Sequence, residues 1–181
     1  EKIVDNLGIT APAVKQNVLY ILANRYFKLN DIYEVRDQKV KYAKAVLTGA
    51  SKQAAIEAAE LEKDATLYRC HFEFPASLSL YINDKQIDAI KDGMTYNSLQ
   101  VQYESLVDMV PSLTEEEKKQ IYAWYKEARE FSMDAENSDK KHAAFNKYKG
   151  RINNYLTKRG YDLVKERNEW YKRLKAAGKK I

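Results

Sequence analysis

A single cysteine, Cys70, stands in a chain of 181 residues, so no internal disulfide can form and thiol usage fits a reducing or an oxidising compartment equally. On a helix the neighbouring His71 would diverge from it by about 100° and could not act as its base, so an inert buried thiol is expected. With only two histidines, metal ligands are scarce. Asp139 and His142 have the i, i+3 spacing of a bidentate pair, but no second carboxylate–histidine pair exists to complete a di-metal site. A surface hydrogen bond is expected there, and no metal. Six glycines and three prolines are too few for a turn-rich β architecture. No window approaches the roughly 20 consecutive apolar residues of a membrane span. Glycine-rich phosphate loops, nucleophile elbows and zinc motifs are absent, so neither a cofactor nor a catalytic constellation is expected. Glu1-Lys2 does not open a signal peptide, so an export leader would have been removed ahead of this numbering.

Charge is plentiful and unevenly spread. Residues 1–92 carry 13 Lys/Arg against 13 Asp/Glu, residues 99–139 carry 4 against 10, and residues 140–181 carry 14 against 3. The basic last third could attract phosphates or anionic glycans at long range. The acidic run before it favours a solvated helix face instead, and no nucleic-acid partner is expected.

Apolar residues recur with helical period along nearly the whole chain, and the length suits one domain with its own core. After Ile3, Val4 and Leu7, Thr10 is the expected N-cap of a long helix with Pro12 in its first turn. Its buried stripe would run through Val14, Val18, Ile21, Leu22, Leu29, Ile32, Tyr33, Val40, Ala43 and Leu47. Gly49 stops it. A second helix beginning at Ser51 would bury Ala54, Ala58, Leu61, Ala65, Tyr68 and Phe72. Two helices of more than about 30 residues joined by so short a turn must run antiparallel. Between Tyr68 and Ile82 the alternation also fits a hairpin of strands, but the helical reading, kinked at Pro75, is preferred. Shorter helices follow. Asn83 or Asp84 caps the first, and Asn97 or Ser98 the next, with Leu99, Tyr103, Leu106, Val107 and Val110 inside. Thr114 and Glu117 form a capping box ahead of Ile121, Trp124, Tyr125, Ala128 and Phe131. Another helix carries Phe145, Tyr148, Ile152, Tyr155 and Leu156, and Asp162 caps the last. The fold class is all-α, one domain made of a long hairpin over 1–82 and a shorter-helix bundle over 83–181.

Aromatic and amide groups offer the best functional lead. Sugar recognition sets a ring face against the apolar surface of a pyranose and orients its hydroxyls with amides and guanidinium groups. Tyr96, Asn97, Arg129, Arg151, Asn153, Asn154 and Trp170 supply those ingredients, with Trp124 and Tyr155 nearby in sequence. Asn153-Asn154 inside a helix is a poor choice for helix stability. A buried amide network, with Gly150 allowing close approach of a neighbouring helix, is the structural alternative.

The segments Lys91–Asn97 (KDGMTYN), Pro111–Glu116 (PSLTEE), Ala128–Phe131 (AREF) and Lys147–Leu156 (KYKGRINNYL) resemble family 3826 of the domains of unknown function. The likeness spans nearly the whole chain and is densest from Lys91 to Trp170. That family occurs mainly in secreted or periplasmic proteins of Bacteroidetes and carries a sugar-binding label. The resemblance implies export and helix over strand for Tyr68 to Ile82, and it assigns no residue a role. The expected function is non-catalytic carbohydrate binding in the bacterial cell envelope. The alternatives are a helical protein-interaction module with exposed Tyr and Trp as anchors, and an uncharacterised glycan hydrolase with a carboxylate pair.

Overall fold

The computed structural model describes residues 2–179; Glu1 and the last base of the C-terminal third, Lys180, lie outside the described residues. Nine helices and no strand occur among them: α1 (Lys2–Asp5), α2 (Pro12–Val46), α3 (Gly49–His71), α4 (Glu73–Leu78), α5 (Asp84–Met94), α6 (Ser98–Met109), α7 (Glu115–Met133), α8 (Ser138–Lys158) and α9 (Leu163–Ala176). The chain forms two compact units, the first ending at Ile90 and the second beginning at Lys91, within α5.

In the first unit α2 and α3 are an antiparallel hairpin. Arg25 Nη1 donates to the Cys70 carbonyl at 3.0 Å and Arg36 Nη1 to Glu60 at 3.1 Å, so rising numbers on one helix meet falling numbers on the other. The N-cap of α2 is Ala11 rather than Thr10 and makes no side-chain bond, leaving Pro12 to set the entry. At 23 residues α3 is shorter than expected, because the chain breaks at Phe72 and α4 begins anew. Pro75 then sits in the first turn of α4, where its missing N–H removes no helical hydrogen bond. The chain is broken here instead of kinked, and Phe74, Leu78 and Ile82 point inward.

The expected inner stripe of α2 is buried or half-buried throughout, but the stripe expected for α3 is turned outward. Leu61, Tyr68 and Phe72 are 69%, 70% and 60% exposed, while Ala59 and Cys70 face α2. Across the seam lie the small Ala59 and the ion pairs Arg36–Glu60 and Lys39–Glu62, with Lys63 bracing Glu60 from within α3. Periodicity alone cannot tell which of two plausible faces meets the partner helix, and here the bulkier one does not.

In the second unit α7 and α8 pack antiparallel on α6. Leu99, Leu106, Val110, Ile121, Tyr125, Phe145, Ile152 and Leu156 form the core. The expected capping box is present: Glu117 N–H donates to Thr114 Oγ1 at 3.2 Å and Thr114 N–H to Glu117 at 2.9 Å. Asn137 and Asp162 cap α8 and α9 through their side-chain oxygens. Phe131, expected inside, is 62% exposed. No residue of α9 is fully buried.

Candidate functional site

The seven residues singled out by sequence occupy three places in the second unit. The first is the turn between α5 and α6. Tyr96 and Asn97 are consecutive non-glycine residues with φ of 59° and 54°, a left-handed pair that a bulky side chain rarely adopts. Both side chains are exposed. Beneath them Arg129, only 3% exposed, donates to Asp92 at 2.9 Å and to Glu130 at 3.2 Å, and Lys91 donates to Glu130 at 2.8 Å. Asp92 is tied to the turn, since its carbonyl accepts from the Asn97 N–H at 2.8 Å. From α8 the buried Lys141 donates to the Met94 carbonyl at 2.9 Å. Burial pushes its ammonium pKa down, against the opposing charges of Tyr96 and Asp134. His142 stacks on the Tyr96 ring at 5.4 Å. Arg129 is thus committed to bracing the turn from inside.

The second place holds Trp170. Its Nε1 donates to Asp108 at 2.6 Å, and Arg173 from the next turn of α9 donates to the carbonyl of Asp108 at 2.7 Å. Arg173 thus satisfies backbone carbonyls at the C-terminus of α6 while Trp170 holds the Asp108 carboxylate, and together they dock α9 there. The polar edge of Trp170 is spent on the fold.

The third place is the solvent side of the α7–α8 seam, where side chains form a continuous ladder. Phe131 stacks on Tyr148 at 6.4 Å, Arg151 lies 6.0 Å from the Tyr148 ring and 4.8 Å from Trp124, and Trp124 meets Tyr155 edge-on at 5.0 Å. Arg159 closes the series, 5.1 Å over Tyr155. Aromatic stacking holds each guanidinium flat and leaves its N–H edge to bond outward. Glu127 faces Arg151 at 3.5 Å, the long limit of a hydrogen bond, with 54% of the arginine side chain and 47% of the glutamate side chain exposed. Burial and a hydrogen bond to Glu127 push the Tyr148 phenol up to about 12, so it remains a donor at neutral pH. Asn154, exposed, falls one turn beyond Arg151 on the same face of α8. Asn153 is half-buried on another flank.

A Cβ at Gly150 would meet nothing within 4 Å, so this glycine serves no close helix approach, and an exposed Asn154 is no part of a buried amide lock. Arg129 and Glu127 are about 200° apart around α7, which sends one to the strained turn and the other to the seam. The turn and the seam are therefore separate surfaces.

Four members of the ladder, Glu127, Phe131, Tyr148 and Arg159, are not among the candidate site residues expected from sequence, which places Phe131 and Tyr148 on inner helix faces. Their signal was present in the spacing of Tyr148, Arg151, Tyr155 and Arg159, which keeps aromatic and arginine on one helical row. Glu117, expected only as a capping-box residue, also accepts from Arg159 and Tyr161 at the end of the seam.

An all-α chain with a strained turn braced by buried charge and an aromatic–guanidinium seam is what these residues build. The chain belongs to the DUF3826 family of proteins of unknown function, whose model matches residues 1–176. No curated protein matches it. No helix among the described residues is long and apolar enough to cross a membrane.

Proposed function

We propose that this is a non-catalytic carbohydrate-binding protein of the bacterial cell envelope, taking its ligand on the α7–α8 seam. The observation that carries the reading is an open ring, Phe131, adjoining an exposed guanidinium–carboxylate pair, Arg151 and Glu127, through the shared Tyr148. Tyr148 covers one face of Phe131, and the other offers an apolar surface to the C–H side of a pyranose. Arg151 donates to sugar oxygens, Glu127 accepts from hydroxyls, and the Asn154 amide can do both. Envelope location is supported by the family likeness. Calorimetric titration with a panel of oligosaccharides tests the reading. Phe131→Ala and Arg151→Ala are expected to weaken binding by about tenfold or more each, with unchanged circular dichroism. If no saccharide binds the intact protein at millimolar concentration, the reading fails.

A second reading, a helical interaction module, is favoured by the exposed stripe Leu61, Tyr68 and Phe72 on α3, where Tyr68 and Phe72 pack edge-on at 5.6 Å. Rings held against each other in solvent are suited to anchoring a partner. Loss of a co-purifying protein on Tyr68→Lys, with sugar binding intact, would establish that stripe as an interface in its own right.

A further inference from the structure

We infer that the sugar taken by this seam is acidic: a hexuronate within a linear glycan, its carboxylate gripped by Arg151. The inference rests on the carbohydrate reading above and adds the ligand's charge to it. Three features of the seam support an anion over a neutral sugar.

The first is the state of Arg151. Its guanidinium lies over the Trp124 ring, 4.8 Å from the centroid, while its carboxylate neighbour, Glu127, stands at 3.5 Å. The weakness of that pairing follows from geometry, since a well-made arginine–carboxylate bond is bidentate and closer to 2.8 Å or so. Arg159, at the other end, is by contrast firmly engaged: its Nε donates to Glu117 at 2.7 Å. Arg151 is the fork that is planar, half in solvent and loosely paired, and a ligand carboxylate can improve on its present partner.

The second is the sign of the surrounding charge. Lys147 and Lys158 fall at i−4 and i+7 from Arg151, on the same row of α8, and both are exposed. With Arg151 they set three exposed cations along one face of α8, Arg159 being engaged by Glu117, while α7 carries the exposed carboxylates of Glu127 and, three turns earlier, Glu116. Such an array attracts a linear polyanion along its length.

The third separates a sugar acid from a nucleic acid. Unspecific single-strand binders need bare aromatic faces on which successive bases stack. Here Arg151 lies over Trp124, Arg159 over Tyr155, and Tyr148 is buried, so Phe131 is the one exposed ring of the seam. One open ring beside a fork matches one pyranose with a carboxylate on it.

The test uses the full chain and three probes: polygalacturonate oligomers, the same oligomers with their carboxyls methyl-esterified, and a single-stranded homopolymeric RNA of similar charge. The acidic oligomer is expected to bind about tenfold or more tighter than its ester, with an affinity that falls as salt rises. Arg151→Lys, which keeps the charge and loses the fork, is expected to abolish most of that preference and leave ester binding nearly unchanged. Equal binding of acid and ester would overturn the inference while leaving the carbohydrate reading intact. Binding of neither form would overturn the inference, while the carbohydrate reading stands or falls with the wider oligosaccharide panel. RNA binding as tight as the acid, weakened by the same lysine substitution, would also overturn it, and would make the seam a general polyanion surface.

Discussion

Arg159 donates from Nε to the Glu117 carboxylate at 2.7 Å, joining the C-terminus of α8 to the first turn of α7. The Tyr161 hydroxyl adds a second bond to the same carboxylate, also at 2.7 Å, and the Thr114 amide a third at 2.9 Å. Glu117 is 3% exposed. Burial alone would push its carboxyl up, but the hydroxyl, the backbone amide and the guanidinium outweigh burial and hold it down at about 2. A capping box ordinarily serves one helix; here its carboxylate also fastens the chain that leads from α8 to α9.

Because the folded value lies below the ordinary 4.5, the charged carboxylate stabilises the fold fully above roughly pH 5, and that stabilisation is lost as pH falls toward 2. Urea unfolding at pH 7, 5 and 3 should show stability declining over this acid window in the natural chain. Glu117→Gln should cost about 2–4 kcal/mol at pH 7 and flatten the decline, since the substituted group no longer titrates. Arg159 is half in solvent, so Arg159→Ala should cost less than Glu117→Gln in the same unfolding series.

Arg129 should be a residue of the fold more than of the surface. Its guanidinium is almost wholly buried between Asp92 and Glu130. Arg129→Met is expected to lose about 3 kcal/mol by removing the cation paired with Asp92, Glu130 keeping its bond to Lys91. Adding Asp92→Asn should recover part of the loss, and a denaturation double-mutant cycle measures that coupling.

Gly150 occupies a mid-helix position with nothing near the place a Cβ would fill. Gly150→Ala should therefore stabilise α8 by about 0.5–1 kcal/mol. The thermal midpoint should rise, and saccharide affinity should not change.

The outward stripe of α3 makes a paired prediction. Leu61→Lys should change stability by no more than about 0.5 kcal/mol, as an exposed substitution does. Ala59→Leu, at a position 3% exposed against α2, should cost about 1–3 kcal/mol by overpacking. Equal effects from the two, read by urea unfolding, would contradict the observed facing of the helix.

Much of the helical layout was legible because its signals are local. Thr114 with Glu117, and Asp162 ahead of Leu163, act within one turn of the chain, so spacing and side-chain chemistry suffice to place them; Gly49, expected to end α2 ahead of a helix from Ser51, is instead the first residue of α3, and Leu47 caps α2. The inner stripes of α6 and α8 were legible for a related reason, since each of these helices has one dominant apolar face to bury; that of α2 was legible although Tyr20, Phe27, Tyr42 and Val46 leave its outer side apolar as well.

By itself the sequence determined the all-α class, the caps and the inner faces of the helices with a single strongly apolar side. Only tertiary structure decided the facing of α3, where ion pairs and Ala59 took the seam and left Leu61, Tyr68 and Phe72 outside. It also decided that Arg129 is interior, that Trp170 docks α9, and that Arg151 is carried on Trp124. The reason is one of range: a cap is satisfied by residues one turn away, whereas the place of a ring or a guanidinium depends on which distant helix arrives beside it.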